Sequence, residues 1–251
     1  MGKELDTDSS SAPDRVEADG GSFTDAVQRM FDGLAPRYDT FNRWASLGLD
    51  SGWRQAAIRQ LGVPVGGAVL DIATGTGDLA LASASAGHRA VGVDFAREMI
   101  NAAQVKQSPD DPPVPFHVAS AEALPYDEAS FDGALSAFAM RNVRPILRPV
   151  LTEALRVLKP GGRLVILEFC EPPLAPVRWG HRLYTRAIVP AVGRWLTGSS
   201  APFDYLNRSI DAWESPESFA GILTSTGFRE VGYRRLTLGT VALHWGTKLR
   251  S

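Results

Sequence analysis

The run VLDIATGTGDLAL, residues 69–81, constrains the fold more than any other stretch of this chain. An apolar segment of strand length enters a loop of the form G-x-G-x-x-A (Gly75 to Ala80), and a helix begins at once. Glycines in such a loop let the backbone approach a nucleotide ligand at a helix N-terminus. The same alternation continues on both sides. AVLDIA is followed by DLALASASAG, which Gly87 ends, then by AVGVD and AREMINAAQVKQ. Beyond the proline-laden SPDDPPVP come two strand-like runs, FHVAS and FDGALSAFA. RPILRPVLTEALRVLKPGG reads as helix up to Pro160-Gly161-Gly162, and RLVILEF reads as the fifth strand. Alternation of this kind builds a parallel sheet with helices on both faces. Near the end, SPESFAGILTSTGF is a helix with Ser215 as N-cap and Gly227 as C′ residue. FREVGYRRLTL and VALHWGTKL, joined at Gly239-Thr240, read as a β-hairpin, so the last strand is antiparallel.

At 251 residues the chain suits one large domain or a domain with a cap. Residues 1–22 are polar, acidic and rich in Ser and Gly, and read as a flexible tail without the apolar region of a signal peptide. The methyl-rich, packable sequence runs from 23 to 251, beginning with a short helix capped by Thr24. Residues 172–214 break the alternation and read as a helical insertion, aromatic and basic. No apolar run is long enough to span a bilayer, which leads to the expectation of a cytoplasmic protein, with peripheral contact at the membrane's inner face left open. A formal net charge of −2 argues against a nucleic-acid partner. With one cysteine and four scattered histidines, neither a disulfide framework nor a metal site is expected.

The glycine loop by itself does not choose a nucleotide. A pyrophosphate needs an unopposed helix N-terminus, yet Asp71 closes the strand before the loop and Asp78 opens the helix after it. Those carboxylates oppose NAD(P) and suit S-adenosylmethionine (SAM), which carries a sulfonium and an ammonium. Asp94 ends the second strand, where a carboxylate can hold both hydroxyls of a ribose; it can also cap the helix that starts near Ala96. Gly75, Thr76 and Gly77 would then surround the methionine end.

Several blocks resemble one family, the Rossmann-like C-methyltransferases of menaquinone and ubiquinone biosynthesis. MFDGLAPRYDTFNRWASLGLDSGWR is similar to its N-terminal block and LDIATGTGDLAL to its SAM loop. SAEALPY, FDGALSAFAMRNV, RVLKPGGRLVILEF and LTLGTVALHWGTK follow in the family's order. Phe41, Ser120, Ala137, Ala139, Met140 and Cys170 depart from the family's usual residues.

The resemblance implies a doubly wound α/β sheet with an N-terminal helical lid and SAM as cofactor. It implies that Ser120 and Ala121 line the adenine, with Ala137 at the cofactor. Arg141 and Asn142, after the fourth strand, are implied at the acceptor, Arg141 stabilising a phenolate; the alternative is an arginine paired structurally with a neighbouring acid. Tyr38, Asp39 and Asn42 would form a lid, and the proton would leave through water, Asp39 or His244, although His244 inside a strand better suits a buried structural histidine. The implied reaction is methylation of a lipophilic quinol, demethylmenaquinol to menaquinol. A methoxy-benzoquinol of ubiquinone synthesis or another secondary-metabolite acceptor is the alternative within the class. Outside it stand an NAD(P)-dependent oxidoreductase and a non-catalytic nucleotide-binding module. Self-association into a homo-oligomer is compatible with all of these.

Overall fold

A computed structural model describes residues 39–40, 42–191 and 201–250, with only the backbone for 201–204. The tail, the helix expected from Thr24, and Tyr38 lie outside the described residues.

The elements in chain order are α1 (Asp50–Leu61), β1 (Ala68–Ile72), α2 (Asp78–Ser85), β2 (Arg89–Asp94), α3 (Arg97–Lys106), β3 (Phe116–Val118) and β4 (Phe131–Ala137). They continue with α4 (Leu147–Val157), β5 (Leu158–Phe169), α5 (Ala175–Leu183), α6 (Ala201–Asp211), α7 (Pro216–Thr226), β6 (Arg229–Leu236) and β7 (Val241–Thr247). The seven strands form one sheet in the order β3-β2-β1-β4-β5-β7-β6. β1 to β5 are parallel, and β7 runs antiparallel to both β5 and β6. The strand order reverses beside β1, so the carboxyl ends of β1, β2 and β4 open onto a crevice, the usual ligand position in an open α/β sheet.

Strand residues alternate between two apolar layers. Leu70, Ile72, Ala134, Leu164 and Ile166 pack with Leu147, Val150, Leu151, Phe219 and Leu223 of α4 and α7. Val69, Leu135, Val165, Leu167 and Leu243 face the opposite side, against Trp53, Ala57 and Leu61 of α1. In α4 the buried residues Leu147, Val150, Leu151, Ala154 and Val157 recur at helical spacing. Two polar residues follow the same alternation: Glu168 faces the α4/α7 layer, and Asp71 faces the α1 side. That sidedness decides their partners.

Two boundaries differ from the sequence reading. The helix before β5 ends at Val157, three residues earlier than expected, because Leu158 already pairs with Phe131 of β4. Pro160 has no N–H to donate and disfavours helical backbone at the residue before it. The hairpin joint is also longer than Gly239-Thr240. β6 stops at Leu236, and Thr237, Leu238 and Gly239 take φ of 45°, 55° and 92°.

The described parts of the insertion are helical: α5, the turn after it, and α6. α5 buries none of its residues and runs into a π-turn over Tyr184–Ile188. Trp179 and Leu183 are 71% and 52% exposed there. Among the described residues no helix is long and apolar enough to cross a membrane.

Candidate active site

The crevice is built from loops that leave the strands under backbone strain. Ala73, directly after β1, has φ of 55°, and Phe138, directly after β4, has φ of 57°. Left-handed backbone costs a non-glycine residue about 1–2 kcal/mol, and such outliers gather at ligand sites. Both residues line cavities at this edge. Gly77 caps α2 with φ of 82°, and a Cβ added there would stand 2.7 Å from the Phe116 ring. The loop therefore requires glycine for packing as well as for its turn.

Three small cavities adjoin one another through shared residues. The first, about 70 Å³, is bordered by Asp94, Ser120, Ala121 and Asn142. The second, about 50 Å³, shares Asp94 and Asn142 and adds Gly75, Ala137 and Phe138. The third, also about 50 Å³, is bordered by Asn42, Arg54, Asp71, Gly75, Thr76, Asp78, Ala137 and Phe138. The fold thus gathers Asp71, Gly75, Thr76, Asp94, Ser120, Ala121, Ala137, Asn42 and Asn142 on one groove, with Gly77 behind its wall. A larger cavity of about 550 Å³ lies under the insertion, between Arg178, Arg182, Asp211, Trp213 and Arg235; none of the anticipated site residues borders it.

Asp94 organises the middle of the groove. Its Oδ2 accepts from the Gly75 amide at 2.8 Å, and its Oδ1 accepts from the Ala96 amide at 2.9 Å. It therefore fixes the glycine loop and starts α3. A carboxylate accepts up to about four hydrogen bonds, so this bracing is compatible with a ribose ligand.

Asp71 is fully buried. Thr74 Oγ1 donates to its Oδ2 at 2.5 Å, while Oδ1 has no hydrogen-bond partner. Burial pushes its pKa up to about 7, against the lowering effect of the Thr74 hydrogen bond. Its Oδ1 is enclosed, while the residue borders the third cavity.

Asp78 differs from its sequence reading. It is not an open carboxylate: Arg54 Nη2 lies 2.8 Å from Oδ2 and Lys106 Nζ lies 2.6 Å from Oδ1. Arg54 also pairs with Asp50. Thr76 Oγ1 and Lys106 Nζ both donate to Asp39, each at 2.5 Å. Asp78 alone therefore cannot repel a pyrophosphate. The network as a whole still holds Asp39, Asp50, Asp71 and Asp78 against Arg54 and Lys106, so carboxylates remain in excess at this end of the groove. Arg54 and Lys106 went unrecognised in the sequence because each joins the site from a different helix at no motif spacing.

Arg141 has a buried acidic partner. Its Nη1 lies 3.2 Å from Glu168 Oε1, its backbone N–H donates to Glu168 Oε2 at 3.3 Å, and its Nη1 also donates to the Phe138 carbonyl. The guanidinium sits 5.5 Å from the centre of the Phe169 ring, and that ring stacks on Phe138 at 4.5 Å. Burial raises the Glu168 pKa, opposed by the Arg141 charge. An acid inside the apolar run RLVILEF was the available signal for this pair. The insertion closes over the same place. Ser209 Oγ of α6 accepts from Arg141 Nε at 3.2 Å, and Tyr205 Oη donates to Asn142 Oδ1 at 3.3 Å.

His244 is not brought to the groove. It is buried on the α7 face of β7, its ring edge-on to Phe219 at 4.9 Å. Nε2 donates to the Pro216 carbonyl at 3.3 Å, Nδ1 has no partner, and burial lowers the pKa to about 4. A ring sealed beneath a helix has no path to a reacting hydroxyl. Of the two groups anticipated to accept a proton, Asp39 alone reaches the glycine loop.

Comparison with known proteins gives the family. Residues 20–248 match the model of the ubiE/COQ5 methyltransferase family. The chain is 41% identical over 223 residues to a demethylmenaquinone methyltransferase of Clavibacter sepedonicus, covering 88% of this chain and 90% of that one. It is 43% identical over 222 residues to a ubiquinone/menaquinone biosynthesis C-methyltransferase of Syntrophotalea carbinolica, covering 87% and 92%. Among solved structures the fold resembles the [4+2]-cyclase SpnF (TM-score 0.65, 16% identity, 90% and 96% covered). It also resembles a chain of the Haloferax volcanii complex between the Trm112 methyltransferase activator and a methyltransferase (TM-score 0.63, 20% identity, 88% and 98% covered). The chain belongs to the ubiE/COQ5 methyltransferase family and is a SAM-dependent methyltransferase.

Proposed function

We propose that this enzyme methylates a ring carbon of demethylmenaquinol, with SAM lying along the groove between Asp94 and Asp71. The observation that carries the placement is the pair of acids at its two ends. Asp94 stands at the carboxyl end of β2 beside Ser120 and Ala121, where it suits a ribose with the adenine beyond. Asp71 borders the cavity at the other end, where its carboxyl suits the ammonium. Arg54 and Asn42 border the same cavity and suit the carboxylate. Bound there, SAM supplies an electrophilic methyl group.

A quinol carbon becomes nucleophilic as its ring hydroxyl loses a proton, and a phenolic hydroxyl has a pKa of about 10. Arg141 borders none of the three cavities and is paired with Glu168, but it adjoins the groove through Phe138 and Asn142, and its guanidinium would favour the anionic ring from there. Asn142 borders two of the cavities and orients what lies between them. The proton leaves through water or through Asp39, whose oxygens meet Thr76 and Lys106 at the loop. The menaquinol assignment draws on the names of the relatives. The test is incubation with labelled SAM and either demethylmenaquinol or a methoxy-benzoquinol, followed by mass spectrometry. Label on a ring carbon of the naphthoquinol supports the reading; label only on the benzoquinol, or on oxygen, overturns it.

A lipophilic acceptor also gives meaning to the insertion. Trp179 and Leu183 are four residues apart, and the π-turn after Leu183 brings Ile188 round to the same side, since a π-turn closes at five residues. All three are exposed, and Tyr184 Oη bonds the carbonyl of Trp44, itself 59% exposed. This amphipathic face suits the surface of a bilayer. Co-sedimentation with anionic vesicles should fall in Trp179→Ser and Leu183→Ser; unchanged partition would refute membrane contact through this face.

A further inference from the structure

The groove does not account for Lys106, which borders none of its cavities. It ends α3, where a lysine ordinarily does no more than complement the helix dipole. Here its ammonium reaches across to the glycine loop. Nζ lies 2.5 Å from Asp39 Oδ2, 3.0 Å from Thr76 Oγ1 and 2.6 Å from Asp78 Oδ1. An ammonium has three N–H donors, and these three acceptors match them. The partners come from three different places: the N-terminal segment, the glycine loop and the first turn of α2. Thr76 Oγ1 closes the circuit by donating to Asp39 Oδ1.

We infer that Lys106 is a positioning residue that couples the N-terminal segment to the cofactor loop. Thr76 and Asp78 border the methionine-end cavity, and Asp39 borders none of the three. The segment therefore acts on the cofactor through the circuit that Lys106 completes. Docking of Asp39 and the described residues after it against the glycine loop is then coupled to ligand binding at that loop. Linkage makes the effect reciprocal: ligand at the loop steadies the segment, and the steadied segment tightens the ligand. The inference rests on the placement of SAM proposed above.

The test pairs S-adenosylhomocysteine calorimetry with chymotrypsin digestion at Trp44. In the wild type, S-adenosylhomocysteine should slow cleavage after Trp44. Lys106→Met should bind it about tenfold more weakly, within the range of networked couplings, and should lose the protection. Lys106→Arg should regain most of both, since a guanidinium keeps the charge and several donors. Asp39→Asn should resemble Lys106→Met, and the double variant should be no weaker than the weaker single one. Melting temperatures on the same samples identify any variant that fails to fold, and Asp39→Asn, at the surface end of the circuit, then carries the test. Wild-type affinity and protection in Lys106→Met, or fully additive losses in the double variant, would overturn the coupling. Asp94→Ala serves as the separate check on cofactor placement; undiminished affinity there removes the placement and the inference together.

Discussion

Arg141 Nη1 lies 3.2 Å from Glu168 Oε1, with the arginine side chain 6% exposed and the glutamate wholly enclosed. The glutamate oxygens also accept the backbone amides of Arg141 and Phe169. Glu168 thus fixes both the charge and the turn that presents it. Arg141→Ala should lose stability as well as turnover, because stranding a buried charge costs about 3–5 kcal/mol. Arg141→Met combined with Glu168→Gln removes both charges, keeps an oxygen acceptor for the backbone amides, and should recover part of the stability. If the guanidinium stabilises the phenolate, turnover in that double variant should remain down by about 100-fold, the scale of one preorganised donor. Urea unfolding and turnover measured together decide; a stable double variant with near-normal turnover would make the arginine purely structural.

Asp71 and His244 should give opposite slopes of stability against pH in overlapping windows. Asp71 is raised from 3.8 to about 7, so between those values the folded protein holds the extra proton and stability falls as pH rises. His244 is lowered from 6.5 to about 4, so between those values the unfolded chain holds the extra proton and stability rises with pH. The shifts correspond to about 4 kcal/mol for Asp71 and about 3 kcal/mol for His244 across their windows. Relative to wild type, Asp71→Asn should steepen the rise from pH 4 to 6.5, and His244→Gln should expose a fall from pH 4 to 7. Denaturant melts at half-unit intervals would show it; parallel profiles in all three proteins would contradict both.

Binding of S-adenosylhomocysteine should release a proton from Asp71 at pH 6. With a pKa near 7 the carboxyl is mostly protonated there, and an ammonium beside it would drive ionisation. Calorimetry in buffers of different ionisation enthalpy should detect close to one proton released at pH 6 and almost none at pH 8. Asp71→Asn should release none at either pH.

Gly77 and Gly66 share a φ of 82° but not their surroundings. A Cβ at Gly77 meets the Phe116 ring at 2.7 Å, whereas one at Gly66 meets nothing within 4 Å. Gly66→Ala should cost only the backbone strain, about 1–2 kcal/mol. Gly77→Ala should cost about 1–3 kcal/mol more through overpacking and should weaken S-adenosylhomocysteine binding. Equal stability losses in the two variants would show that the ring yields freely.

Much of this was legible in the chain. The alternation of apolar runs with helical periods specified a parallel sheet, because strand and helix periodicities are local. Ser215 caps α7 by accepting from the Ser218 amide at 3.1 Å, and Gly227 ends that helix, as their types require. Asp71, one residue before the end of β1, and Asp94, which closes β2, reach the groove because strand ends of a parallel sheet share one edge. Boundaries were less legible where pairing overrode propensity, as at Leu158, which leaves the helix to bond with β4.

The sequence by itself determined the sheet, the glycine loop and the cofactor class, since each is written in neighbouring residues. Only the tertiary structure decided which charges face one another. Asp78 was read as an open carboxylate favouring SAM; the cofactor class stands, yet Arg54 and Lys106 answer that acid from helices 24 and 28 positions away. Arg141 meets Glu168 because β4 and β5 are neighbours, and His244 is removed from the chemistry because alternation along β7 turns it under α7. Ion pairs form between side chains brought within a few ångströms, and that proximity is set by packing of elements distant in the chain.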